Sequence, residues 1–167
     1  MENSLVKLFE HNNWANQKVF EACAVLTDEQ LDAVPNSATR GTIRRTLEHM
    51  GNSQRGYLAL LTTPVKIRRQ PTQAITDITE LQESVRISGE GLLALAKGER
   101  KPFDVRLETT DGFYTEPWVV MLQVINHATE HREQIKSMLS ALNVEPPNID
   151  GWDYAEIQEA LIPISKQ

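Results

Sequence analysis

One cysteine, Cys23, stands in 167 residues. A single thiol forms no internal disulfide and no cysteine-built zinc cage, so neither staple holds this fold. Long apolar runs are missing as well, and no stretch reaches the roughly 18 apolar residues of a membrane helix. Positive charge is in deficit: 17 Lys+Arg face 23 Asp+Glu, for a net charge of -6. That balance argues against a protein that wraps nucleic acid or coats an anionic membrane. Gly and Pro number eight each and are scattered, so nothing marks an interdomain linker, a repeat or a low-complexity tract. No signal-peptide pattern opens the chain, and with no disulfide the simplest expected compartment is the cytoplasm. What remains is ordinary soluble composition, 40% hydrophobic and 24% charged. A chain this long is expected to form one domain, residues 1–167, around one core. It carries four histidines: His11, His49, His127 and His131.

Hydrophobic periodicity predicts four long helices. The first runs from about Leu5 to Leu26, with Leu5, Leu8, Phe9, Asn12, Ala15, Val19, Ala22 and Leu26 on its inner face. Thr27 and Gln30 frame a capping box for a short helix to about Ala33, and the stretch from Pro35 to Gly41 breaks the chain. Thr42 caps a second helix to about Leu61, whose inner face holds Ile43, Thr46, Leu47, Met50, Ser53, Tyr57 and Leu61. A basic loop, Lys66 to Gln70, follows and ends at Pro71. The third helix runs from Asp77, in a capping-box pattern with Glu80, to Lys97, where Gly98 closes it. Phe103, Val105 and Leu107 alternate with polar residues, Asp111-Gly112 signals a turn, and Phe113 and Thr115 alternate again. This predicts a small β-hairpin. Pro117 opens the fourth helix, which runs to about Leu142, and a short helix from Trp152 to about Leu161 is expected to pack across the bundle. The expected fold is all-α, a four-helix bundle with one hairpin between helices three and four.

His127 and His131 lie four residues apart on the fourth helix. Their side chains are about 40° apart on one face, the geometry in which two imidazoles share a metal ion. Both fall in the stripe defined by Val124, Ala128, Ile135, Met138 and Leu142, where a buried imidazole must satisfy two ring nitrogens. Such a pair either holds a metal or hydrogen-bonds a neighbour. His49, at the edge of the second helix's apolar stripe, reads as a boundary residue or as a third ligand from an adjacent helix. Three neutral imidazoles with an open fourth position are typical of a catalytic rather than a structural zinc site. His11, among Glu10, Asn12 and Asn13, reads as boundary or solvent-facing and outside the site.

Three segments in order carry a resemblance: Asn13-Trp14-Ala15-Asn16, Gly41-Thr42-Ile43-Arg44-Arg45-Thr46-Leu47-Glu48-His49, and Asn126-His127-Ala128-Thr129-Glu130-His131-Arg132-Glu133-Gln134-Ile135. With the Asp-Gly hairpin and Asp150 they span nearly the whole chain. The sequence resembles the DinB (damage-inducible), YfiT-like family of metal-binding bundles. The resemblance implies an up-down-down-up bundle, commonly a homodimer, with a divalent metal, often nickel or zinc, on His49, His127 and His131. Where family members often have His-His-Arg-Gly-Gln, this chain has Glu130-His131-Arg132-Glu133-Gln134. Glu130 therefore replaces a non-ligand histidine and is expected to face solvent, and neither departure removes a ligand.

A three-histidine ion keeps strong Lewis acidity and can activate water or a thiol. By resemblance, the expected activity is a metal-dependent S-transferase. A low-molecular-weight thiol such as bacillithiol or mycothiol would attack an electrophilic small molecule. A metal-dependent hydrolase and a non-catalytic, stress-related metal-binding bundle are the alternatives. Cys23 reads as a small core residue, so a reacting thiol would arrive with a cosubstrate. Asn12, Asn13, Trp14 and Tyr57 are candidates to line a pocket or to pack as core and boundary residues. Trp14 and Trp118 read as core aromatics. Arg132 is expected to pair with a carboxylate such as Glu48 or to meet an acidic substrate. Lys66, Arg68 and Arg69 either bind an acidic group or are simply solvated, and solvation is the expectation.

Overall fold

The computed structural model describes residues 3–36, 41–70 and 72–164. Of the expected break from Pro35 to Gly41, residues 37–40 lie outside the described residues, as does Pro71. Four long helices carry the architecture: α1 (Ser4–Ala24), α3 (Ile43–Thr62), α5 (Ile78–Lys97) and α6 (Pro117–Ala141). The connections hold α2 (Asp28–Leu31) and α4 (Val65–Arg68), and α7 (Gly151–Ile157) follows the bundle. The fold is the expected all-α bundle, and among the described residues no helix is long and apolar enough to cross a membrane.

Side-chain caps set the helix ends. Thr27 and Gln30 form the expected reciprocal capping box, and Thr42 Oγ1 accepts from the Arg45 amide. Each such cap contributes roughly 1 kcal/mol. Asp77 accepts from the Glu80 amide, but the capping-box pattern there is only half realised, since no return bond from Glu80 forms. Gly98 takes the left-handed conformation (φ +76°) that ends α5 without a Cβ clash.

Both α1 and α3 pack on α5 and on α6. Gly51 lies against Leu81 and Val85, and Gly91 against Leu58, so α3 and α5 run parallel. Asn13 meets Gly89, and Gln17 accepts from Gln82, so α1 and α5 are antiparallel. His49 faces His131 and Tyr57 faces Gln123, so α3 and α6 are antiparallel too. This is the up-down-down-up order. Consecutive parallel helices require the chain to return along the bundle, and residues 72–77 lie on that return. Asn52 clamps that return: its Nδ2 donates to the Glu48 and Ile75 carbonyls, and its Oδ1 accepts from the Ile75 amide.

Three local expectations are corrected. The basic loop is a one-turn helix, α4, and its arginines are engaged rather than merely solvated. Arg68 donates to the Thr63 and Glu108 carbonyls, and Arg69 pairs with the Glu108 carboxylate at 2.9 Å. The hairpin is shorter than its alternating pattern, pairing only β1 (Leu107–Glu108) with β2 (Tyr114–Thr115). Phe103 and Val105 lie outside it and are exposed, because the Phe103 amide is drawn to the Leu61 carbonyl. Trp118 is not a core aromatic: it is 62% exposed, with its indole N–H on Glu116.

The core has two apolar blocks. One gathers Val19, Phe20, Leu47, Met50, Leu81 and Ile135, and the other Phe9, Leu61, Leu92, Val120 and Val124. Between them runs a buried polar layer that reaches all four long helices. Arg132 Nη1 donates to Asn12 Oδ1 and Asn16 Oδ1, each at 2.7 Å. Asn16 Nδ2 donates to Gln54 Oε1, and Gln54 Nε2 donates to the Val85 carbonyl and Ser88 Oγ. On α1 this layer turns the inner face toward Asn16, leaving Leu5 and Leu8 exposed.

Candidate metal centre

The antiparallel α3–α6 pair brings three of the four histidines together at mid-height. His127 Nε2 lies 3.0 Å from His49 Nε2 and 3.2 Å from His131 Nε2. One potential ligand atom from each residue falls within 4.8 Å of the other two. The helical i, i+4 spacing aims His127 and His131 to one side of α6, and α3 supplies His49 opposite. His131 is wholly buried, whereas His49 and His127 are half-buried, so the cluster reaches from the core to the bundle's edge.

Proton accounting tests whether these imidazoles suit a cation. His131 Nδ1 lies 2.8 Å from Gln134 Oε1, an atom that only accepts, so the neutral ring carries its proton on Nδ1. Its Nε2 is then a bare lone pair aimed at the other two rings. Three histidines so grouped could hold one metal ion in common. Tetrahedral ligation with metal–nitrogen bonds of about 2.0–2.1 Å places ligand nitrogens roughly 3.3 Å apart; the two spacings from His127 Nε2, 3.0 and 3.2 Å, are close to that. Among the described residues no Cys, Asp or Glu joins the cluster, so the donor set is three neutral nitrogens.

Gln134 is the supporting residue that sequence reasoning passed over. It fixes the His131 tautomer, and its Nε2 points to Glu130 Oε1 at 3.4 Å. The available signal was its position, three residues beyond His131 on the same helix. Glu130 is exposed, as expected, and Glu133 pairs with Lys136 at the surface.

The remaining candidates disperse. His11 lies apart from the cluster, with Nε2 2.9 Å from the Ile149 carbonyl and its ring against Trp14 and Tyr154. Trp14 belongs to that aromatic group, which docks the start of α7 on α1. Of the four pocket candidates Tyr57 touches the three-histidine cluster, its ring edge-on to His127 with centroids 5.5 Å apart. Asn12 serves Arg132, and Asn13 packs on Gly89. Among the described residues Arg132 pairs with neither Glu48 nor any other carboxylate. It is buried among the neutral oxygens of Asn12, Asn16 and Thr129, because α6 turns it toward α1. Burial pulls its guanidinium down to about 10, still a cation at neutral pH. Cys23 is wholly buried, and desolvation pushes its thiol up to about 12. It is no nucleophile near pH 7.

The family model described as DinB family matches residues 1–165. Among curated proteins, the one named Protein DinB from Bacillus subtilis (strain 168) is 27% identical over 150 residues, covering 83% of this chain and 86% of that one.

Proposed function

The chain belongs to the DinB family, and from that premise we propose that it binds one divalent metal ion, nickel or zinc, on His49, His127 and His131. We further propose that it is a metal-dependent S-transferase, joining a low-molecular-weight thiol to an electrophilic small molecule. The observation that supports the metal site is the grouping of three histidines whose candidate ligand atoms all lie within 4.8 Å of one another. When bound, an ion on three neutral ligands supplies Lewis acidity toward a water or a thiol.

The chain's own residues do the rest. Gln134 holds the His131 proton on Nδ1 and so presents Nε2. The Tyr57 ring braces His127 from the side. Thiol chemistry fits because the protein withholds its own thiol: Cys23 is buried and protonated. The same reading carries a homodimer, as the family resemblance implies, and the cytoplasm as the simplest compartment for a chain without a disulfide.

Protein purified without nickel resin should hold about one zinc or nickel per chain by elemental analysis, and His49→Ala should lose it. A metal-free protein whose stability zinc and nickel leave unchanged would refute the site. The metal-loaded protein should consume bacillithiol, mycothiol or glutathione in the presence of a model electrophile. Turnover of esters or amides without thiol would instead favour the hydrolase, and turnover of neither the non-catalytic bundle.

A further inference from the structure

A second concave site lies on another face of α3, roughly 120° round the helix from His49 at Arg55. Here α3, α5 and the returning segment at 72–74 enclose a cleft of about 500 Å³. That volume falls within the range of small-molecule sites. Leu58, Ala59 and Ile87 give it an apolar wall. Gly56 is on its lining, and a Cβ there would enter open space, with nothing within 4 Å.

The polar groups are one-sided in charge. Arg55 is the only charged residue among the described lining, which contains no Asp or Glu. Its Nη1 donates to Asn52 Oδ1 at 2.9 Å, and no described carboxylate pairs with it. Asn52 is itself fixed by three bonds to backbone groups, so it holds the guanidinium in place. The rest of the Arg55 fork is left for a ligand, and a fork of this kind matches a carboxylate or phosphate. A cation is disfavoured by the same charge, and a wholly apolar guest would leave the fork unused.

We propose that this cleft binds a small organic anion, with its carboxylate or phosphate head on Arg55 and a short apolar tail against Leu58, Ala59 and Ile87. The site is separate from the histidine cluster and does not rest on its reading.

Titration calorimetry of the full chain with hexanoate, hexyl phosphate and neutral hexanol tests it. At least one anion should bind saturably and hexanol should not, and the preferred anion identifies the head group. Arg55→Gln should weaken that binding at least about tenfold, as expected for a lost charge-assisted bond. Gly56→Leu, which fills the cleft without touching the charge, should weaken it comparably. His49→Ala should leave it unchanged. The proposal is overturned by equal binding to Arg55→Gln and wild type, by no saturable binding of either anion, or by binding that disappears in His49→Ala. Circular dichroism confirms the fold of each variant. If Arg55→Gln does not fold, Gly56→Leu decides alone.

Discussion

Replacing Gln134 by Leu isolates what the histidine cluster draws from outside its three rings. His131 is wholly buried, and its Nδ1 has Gln134 Oε1 as acceptor at 2.8 Å. In the Leu variant the metal-free ring can move its proton to Nε2, toward His127. A cation on Nε2 forces that proton back to Nδ1, where it now faces a methyl group. A buried N–H without a partner costs about 1–3 kcal/mol, so zinc affinity should fall roughly 5- to 150-fold. Competition against a chromogenic chelator at pH 7.5 measures this directly. Gln134→Glu keeps an acceptor at the same position and should keep the affinity. A Leu variant with wild-type zinc affinity would refute both the tautomer assignment and the use of Nε2 as a ligand.

Other consequences are open to simpler measurements. A Cβ on Gly51 would lie 2.6 Å from Leu81 Cδ1, an overpacking cost of about 1–3 kcal/mol against roughly 1 gained in helix propensity. Gly56→Ala meets nothing and should stabilise by about 0.5–1 kcal/mol, so chemical denaturation should rank Gly56→Ala above Gly51→Ala, and the reverse order would contradict the close α3–α5 packing. Cys23, pushed from 9.0 to about 12, holds its proton in the folded state where the unfolded chain has lost it. Its stabilising contribution is therefore complete below pH 9 and falls by up to about 1.4 kcal/mol per pH unit toward pH 12. Cys23→Ala should show a shallower alkaline decline, and an identical decline would remove the thiol from the account.

The sequence displayed the long helices because their ends and faces are local properties. Thr42, Gly98 and Pro117 each act within one turn, and the apolar period of α3 or α5 needs no knowledge of the partner helix. The His127–His131 pair was legible for the same reason, being two residues on one helix. His49 needed the family pattern, since nothing local says which helix α6 will face. Arg132 stayed open between a carboxylate and an acidic substrate because its long side chain could reach several helices. Only the packed structure shows that it meets Asn12 and Asn16 rather than a carboxylate. Trp118 failed differently. Composition favours burying tryptophan, but among the described residues Trp118, at the start of α6, is left largely exposed.

The band of amides and guanidinium across the middle of the bundle works like a key cut along four cylinders. Apolar side chains tolerate a helix sliding by one turn, about 5.4 Å, since one aliphatic group replaces another. Arg132 does not. A slide of α6 along α1 would withdraw the oxygens of Asn12 and Asn16 and strand a cation in the interior, at a cost of several kcal/mol. Gln54 ties α3 to α1 through Asn16 and to α5 through Ser88 in the same way. His131 is the neighbour of Arg132 in the chain, and His49 is on the same helix as Gln54. The bonds that time the helices against one another therefore also set the height at which the imidazoles meet. Residues that never touch the cluster decide whether it assembles.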